Sequence, residues 1–336
     1  MKILVTGAAG FIGFHYIQSL MKIECTVVGI DNINNYYDIN LKNSRLKELG
    51  INIEVLYNDK HPIQSSIYPS YRFIRMDIND SVNLNSLFEK ERFTHVMHLA
   101  AQAGVRYSIQ KPFEYIDANI KGFMHLIEAC RHYPVEHLVY ASSSSVYGAN
   151  KNTPYKETDQ TDHPISLYAA TKKANEVMAH AYSKLYNIPS TGVRFFTVYG
   201  PWGRPDMSPY LFMNAILKSE PIKLFNHGNM ERDFTFVGDV SNGLIKIIAS
   251  PPKGETPYAI YNIGCSSPVR LTHFISVIEN ITCKKAIIEL TDMQPGDMAS
   301  SYADTSLLYK DFNYKPSTAI EEGLDIYYKW FTKYYK

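Results

Sequence analysis

An apolar, β-branched run, Lys2 to Thr6, enters the sequence TGAAGFIG at 6–13, and an amphipathic segment follows through Met21. Few local patterns restrict a fold as strongly as a strand that passes through spaced glycines directly into a helix. Gly7 permits the tight turn, Gly10 lets the backbone approach a pyrophosphate, and Gly13 allows close packing of helix on strand, with the helix N-terminus facing the anion. Glycines alone mark ordinary turns. The strand before them and the helix after them are what make this a phosphate cradle.

A second strand, Thr26 to Ile30, ends in Asp31, placed 18 residues after Gly13. A dinucleotide fold needs a carboxylate there for the ribose hydroxyls, and an acid favours NAD over NADP because a 2′-phosphate would meet a negative charge. Asn32, Asn34 and Asn35 follow in a polar loop beside the same ribose. Residues 55–70 have no clear period and read as a surface excursion. A third strand, Arg72 to Met76, ends at Asp77 and Ile78, a position suited to the adenine edge. Thr94 to Ala101 is a fourth strand, Phe113 to His132 a long helix carrying Asn119, and Thr191 to Phe196 a sixth strand after the run Leu138 to Ala141. Strands alternating with helices predict an α/β fold, a Rossmann-type doubly wound parallel sheet. The texture changes after Thr197, so a smaller α/β substrate-binding domain is expected. The predicted division is 1–200 plus about 234–264 for the NAD-binding domain and about 201–233 plus 265–336 for the other.

The formal net charge is only +1 and no run gathers five or six like charges, so nothing electrostatic favours nucleic acid or a membrane surface. No apolar run approaches the roughly 18 residues of a membrane span. Cys25, Cys130, Cys265 and Cys283 are far apart, which argues for free thiols rather than a disulfide framework or zinc site. The chain begins in a strand with no signal stretch, so a cytoplasmic location is expected. His95 and His98 are three apart in a strand and point to opposite faces, which disfavours a metal; none is expected.

The chemistry gathers between Ala141 and Lys172. The apolar Leu138 to Ala141 delivers Ser142, Ser143, Ser144 and Ser145 to a strand's carboxyl end, where open α/β sheets bind ligands. Tyr168 and Lys172 stand four apart in a helical segment and project from one face. A phenol is a poor base at pH 7, since its free pKa is about 10. An ammonium one turn away favours the phenolate, and a serine hydroxyl is placed to pass a proton to a substrate alcohol. Such a site makes and breaks a carbonyl.

These residues resemble the extended short-chain dehydrogenase/reductase family: TGAAGFIG at 6–13, the serine strand end, and Tyr168 with Lys172. More narrowly, LAAQAGVRYS at 99–108, SLYAATKKANE at 166–176 and RFFTVYGPWGRPDM at 194–207 resemble the UDP-glucuronate 4-epimerases, across nearly the whole chain. The resemblance implies Tyr168 as base, Lys172 as the group lowering its pKa and holding the nicotinamide ribose, and Ser143 as hydroxyl relay. It implies NAD at Gly7, Gly10, Gly13, Asp31, Asp77, Ile78, Ala100 and Asn119, with Phe11, Ile12, Asn32, Leu99, Ala101, Ser142, Tyr168 and Lys172 beside them. Ser143 and Tyr168 are also implied to contact substrate. Ser144, Ser145, Thr197 and Arg204 match positions near a uronate carboxylate, and Arg232 and Asp297 match nucleotide contacts. Phe14 and His15 depart from the small residues of many relatives.

The implied reaction is C4 epimerisation of UDP-glucuronate to UDP-galacturonate through a 4-keto sugar, supplying polysaccharide biosynthesis. Dehydratases of the family carry an Asp/Glu pair where this chain has Ser144 and Ser145, and decarboxylases typically carry a Glu, so the neutral pair speaks against both. UDP-glucose 4-epimerase stays as an alternative substrate reading, and a non-catalytic NAD-binding sensor or scaffold as an alternative of another class. The resemblance further implies a homodimer through a four-helix interface, with the helices from Phe113 and Ser166 contributing.

Overall fold

Strand β1 (Lys2–Thr6) has Ile3, Leu4 and Val5 fully buried, as a strand covered on both faces requires. The structure is a computed structural model and describes residues 1–58, 61–293 and 298–335. The strands that follow are β2 (Thr26–Asp31), β3 (Ile63–Gln64), β4 (Tyr71–Arg75), β5 (His95–His98), β6 (His137–Ser143) and β7 (Ser190–Phe195). Then come β8 (Thr197–Tyr199), β9 (Pro221–Leu224), β10 (Glu231–Phe236), β11 (Tyr258–Ile263), β12 (Pro268–Arg270), β13 (Ile287–Leu290) and β14 (Ser300–Ser301).

Eight strands form one sheet in the order β11-β7-β6-β5-β1-β2-β4-β3. Leu4 lies opposite Val28 of β2 on one side and Val96 of β5 on the other, both in parallel register. The strand order reverses at β1, and ligands of open α/β sheets bind beyond the carboxyl ends of the strands at such a reversal. The described residues of the 55–70 stretch lie largely at the surface, as expected, yet carry secondary structure. It contains the helix Ile53–Asn58 and β3, which pairs antiparallel with β4 so that Ile63 faces Phe73. A two-residue strand has no period to read in a sequence, and Gln64 Nε2 secures it by donating to the Tyr71 carbonyl at 2.8 Å.

The chain divides into two units, the first comprising Met1–Gly148, Gln160–Arg194 and Leu244–Tyr261. Its helices include Phe11–Leu20, Ile39–Glu48, Ser81–Glu91, a continuous run over 112–132, and Leu167–Tyr186. Leu167–Tyr186 starts where Ser166 Oγ accepts from Ala169 N at 3.1 Å, an N-cap, and ends at left-handed Asn187. The 112–132 run contains a π-helical turn at Ile116–Lys121.

The second unit comprises Ala149–Asp159, Phe195–Gly243 and Asn262–Lys336. Residues 149–159, 195–200, 234–243 and 262–264 were expected in the first domain and cluster here instead. For β8 and β10 the reason lies in pairing: β10 is parallel to β8 and β14 and antiparallel to β12, so Phe234 lies opposite Thr197 rather than in the large sheet. Buried Asp233 knots this sheet, accepting from Cys265 N, Ser266 N, Ala303 N and Thr235 Oγ1. Burial raises its pKa against the pull of those donors. The helices Ser208–Lys218, Leu271–Thr282 and Ile320–Tyr334 cover a core in which Phe274 stacks on Phe234 at 4.2 Å. All four cysteines are free thiols. Among the described residues no helix is long and apolar enough to cross a membrane.

One buried ion pair ties the first unit together near the ends of β6 and β7. Arg194 Nε and Nη2 donate to the two Glu176 carboxylate oxygens at 2.8 and 2.9 Å, with both side chains at most 3% exposed. Ser142 Oγ donates to Glu176 at 2.6 Å, and Arg194 donates to the Tyr147 hydroxyl at 3.0 Å. Burial works against the Arg194 charge, yet the Glu176 carboxylate keeps its pKa above the ordinary value. Breaking a buried pair leaves one charge uncompensated. Glu176→Ala is therefore expected to cost about 3–5 kcal/mol in urea unfolding, and the double replacement Glu176→Met with Arg194→Met to cost less than that single change.

Candidate active site

The glycine turn has the geometry its spacing predicted. Gly7 sits at φ +70°, and a Cβ there would lie 2.7 Å from Ala100 N. At Gly13 a Cβ would lie 2.2 Å from the Gly7 carbonyl oxygen, so only glycine lets the helix Phe11–Leu20 pack this closely. Gly10 caps that helix with no side-chain acceptor, and no acidic residue occupies the first turn. The amides at the start of the helix, Phe11 and Ile12 included, have no side-chain cap, which suits a pyrophosphate.

Asp31 ends β2 and is 8% exposed. Its carboxylate accepts from Ala9 N at 3.2 Å and Ile33 N at 2.8 Å, which binds the glycine loop to the loop after β2. A carboxylate has about four acceptor positions, so two remain for ribose hydroxyls. Asn32 Nδ2 donates to Asp77 Oδ2 at 2.9 Å, linking the ends of β2 and β4 beside buried Ile78. Ala100 N donates to Thr6 Oγ1 at 3.1 Å, holding Leu99, Ala100 and Ala101 against the glycine turn. Thus the loops expected to hold a dinucleotide are joined to one another by their own polar groups.

Asn119, expected to contact the cofactor, is also tied into the protein. It is 1% exposed, and its amide exchanges hydrogen bonds with the Gln102 backbone at 2.8 and 3.0 Å and donates to Thr171 Oγ1 at 3.0 Å. Thr171 in turn donates to the Tyr168 carbonyl at 2.8 Å, and Asn175 donates to the Asn119 carbonyl in the π turn at 2.7 Å. Asn119 therefore couples the loop after β5 to the helix that carries Tyr168. Ser142 likewise donates its hydroxyl to Glu176 at 2.6 Å.

Ser143, Tyr168 and Lys172 all belong to the first unit. Ser143 caps the 3₁₀ turn Ser144–Tyr147, its Oγ 3.2 Å from both Ser145 N and Ser145 Oγ. Tyr168 is the second residue of its helix, partly exposed, with its ring edge-on to Tyr115 at 6.1 Å. Lys172 is 2% exposed and donates to the Ala141 carbonyl at 2.9 Å. Among the described residues it has no carboxylate partner, so two of its three N–H bonds remain to be placed. Burial pushes its pKa down to about 8. A cation in that state is fitted to ribose hydroxyls and a phenolate. Nearby His98 keeps a neutral ring, because burial and then the Lys172 charge hold its pKa down at about 3. Ser144 and Ser145 are partly exposed beside this group.

The remaining expected residues lie in the second unit. Thr197 begins β8, and Arg232 on β10 donates to the Glu231 carbonyl at 2.8 Å. Arg204 is bound to Asp206, Nε to Oδ1 at 3.0 Å and Nη2 to Oδ2 at 2.5 Å. Asp297 lies outside the described residues. Sequence reasoning missed Lys42, whose buried ammonium lies 3.7 Å from Asp31, and Arg45, which is fully buried and donates to the Ala9 carbonyl at 2.9 Å. Both lie on Ile39–Glu48, a helix whose polar composition reads as an exposed face. It missed Glu176 and Asp206 as well, since their partners become visible only once strands and loops are placed.

Comparison with known proteins adds independent support. Residues 3–264 match the model of the NAD dependent epimerase/dehydratase family. Protein CapI of Staphylococcus aureus is 46% identical, with all of each chain covered. UDP-glucuronate 4-epimerase 2 of Arabidopsis thaliana is 42% identical over all of this chain and 77% of its own. The crystal structure of UDP-glucuronic acid 4-epimerase from Bacillus cereus, in complex with UDP-glucuronic acid and NAD, superposes with a TM-score of 0.88 at 33% identity, covering 99% of each chain. With the glycine turn, the acidic end of β2 and the Ser, Tyr, Lys group in place, the chain belongs to the NAD dependent epimerase/dehydratase family.

Proposed function

We propose that this protein is an NAD-dependent isomerase that interconverts UDP-glucuronate and UDP-galacturonate at C4 through a 4-keto sugar. The observation that carries the reading is a complete Ser143, Tyr168, Lys172 set whose neighbours Ser144 and Ser145 are uncharged. Elimination of water would call for an acid and a base in their place. The relatives named UDP-glucuronate 4-epimerases, and the solved structure holding UDP-glucuronic acid and NAD, support the same substrate.

NAD, when bound, supplies the hydride acceptor and donor and is regenerated. The glycine turn, Asp31 and the Asn32–Asp77 link are assigned to hold it. Lys172 stabilises the Tyr168 phenolate through its charge, and the phenolate takes the C4 hydroxyl proton with Ser143 Oγ as relay. The proton returns by the same path after the ketone has turned its other face. The intermediate is a β-keto acid, which loses carbon dioxide when its carboxylate aligns with the carbonyl π system. Ser144 and Ser145 are assigned as hydroxyl donors that fix the plane of that carboxylate. Thr197 and Arg204, both of the second unit, are assigned to uronate recognition. Arg232 and Asp297 are assigned to the nucleotide. We further assign the protein to the cytoplasm, in keeping with its four free thiols, and its product to polysaccharide biosynthesis.

Incubation with UDP-glucuronate is expected to yield UDP-galacturonate and no pentose product by NMR. Tyr168→Phe is expected to lower kcat by about 10²–10⁴ without loss of bound NAD. Absence of UDP-galacturonate, or turnover of UDP-glucose alone, would overturn the substrate assignment.

The Lys172 charge also sets a pH dependence. As pH rises through about 8 the ammonium loses its proton, and with it the attraction that favours phenolate, so kcat/KM is expected to fall above that pH. In Lys172→Met the residual rate is expected instead to keep rising towards the ordinary phenol pKa of about 10.

We also propose a homodimer built on the 112–132 and Leu167–Tyr186 helices. Phe113 is 80% exposed and Leu185 69%, with Ile116 and Val177 exposed as well, more apolar surface than a polar helix face normally leaves in water. Light scattering is expected to give twice the chain mass; a monomer mass at working concentration would overturn it.

A further inference from the structure

Within the second unit, the loop 200–207 is firmly set. Gly203 N donates to the Gly200 carbonyl at 3.1 Å and Met207 N to the Arg204 carbonyl at 3.3 Å. Trp202, at φ +62°, lies against Trp330 and Tyr334 with ring centroids 5.3 and 5.0 Å away. On this loop Asp206 occupies the Nε and Nη2 side of the Arg204 guanidinium, the side-on fork that matches a carboxylate with two parallel hydrogen bonds. The partners are unequally buried. Arg204 keeps 20% of its side-chain exposure and Asp206 33%. Arg204 is the more enclosed of the two, so losing its anion costs more than returning the more exposed carboxylate to water.

We infer that Asp206 is the carboxylate Arg204 holds in the absence of substrate, and that a sugar carboxylate binds by exchanging with it, so that Asp206 sets the affinity for uronates and not for neutral sugars. The inference rests on the uronate reading above and extends it to a residue that touches no reacting atom. A uronate replaces one carboxylate with another at little electrostatic cost. A neutral hexose offers nothing to exchange and leaves the pair intact.

The test uses the holoenzyme in a Tyr168→Phe background, so that binding is measured without turnover. Dissociation constants for UDP-glucuronate and UDP-glucose are compared by calorimetry with Asp206, Asp206→Asn and Asp206→Glu. Asp206→Asn is expected to bind UDP-glucuronate about three- to tenfold more tightly, the scale of losing one charge-assisted competitor, and UDP-glucose within twofold of the parent. Asp206→Glu keeps the charge and is expected to behave as the parent. Unchanged or weaker binding of UDP-glucuronate to Asp206→Asn, or equal shifts for both sugars, would overturn the exchange. Loss of loop packing moves both sugars together and is thereby distinguished. The uronate reading itself fails separately, if the wild-type enzyme does not turn over UDP-glucuronate.

Discussion

The Arg194–Glu176 pair is the constraint on which the first unit's active end depends. It joins the last strand before the chain leaves the sheet to the helix that carries Tyr168 and Lys172, and through Ser142 and Tyr147 it reaches both ends of the serine turn. Tyr258 adds β11 by donating to the Glu176 carbonyl at 3.0 Å. A bidentate pair has one good geometry, so four segments of chain are brought into one register rather than a family of nearby ones. Apolar packing alone tolerates small slides between helix and sheet. Proton transfer does not, because donor and acceptor must stay within hydrogen-bonding reach.

The same economy of charge marks the reacting groups. Lys172 is a buried cation at the end of the serine strand, its only acceptor among the described residues is the Ala141 backbone carbonyl, and the neighbouring histidine is neutral. Burial weakens the ammonium to a pKa of about 8, still charged at neutral pH yet ready to share its remaining donors. Serines in place of carboxylates keep that field simple. An acid beside Ser143 would compete for the ammonium and open a route to elimination.

The second unit manages charge by pairing. Asp233 is satisfied by three backbone amides and a hydroxyl, and Arg204 by Asp206, so each buried or half-buried charge on these loops has a defined partner. For Asp233 the partners are backbone groups fixed by the sheet, which makes it structural. For Arg204 the partner is another, more exposed side chain on the same loop.

What the sequence by itself determined was local. The glycine turn, the acid after β2, the serine strand end and the Tyr168, Lys172 spacing each lie within one strand–turn–helix step, where backbone sterics and helical periodicity dictate which atoms share a face. The parallel sheet followed from the alternation of such steps. Tertiary structure alone decided the rest: that β10 belongs with the second unit, that 63–64 forms an edge strand, that Asn119 and Ser142 spend their polar groups on the protein, and that Glu176, Arg45, Lys42 and Asp206 carry partners. Each depends on groups distant in sequence or on loops without a period. A hydrogen-bond donor has no preference among acceptors until the packed backbone has brought one within about 3 Å.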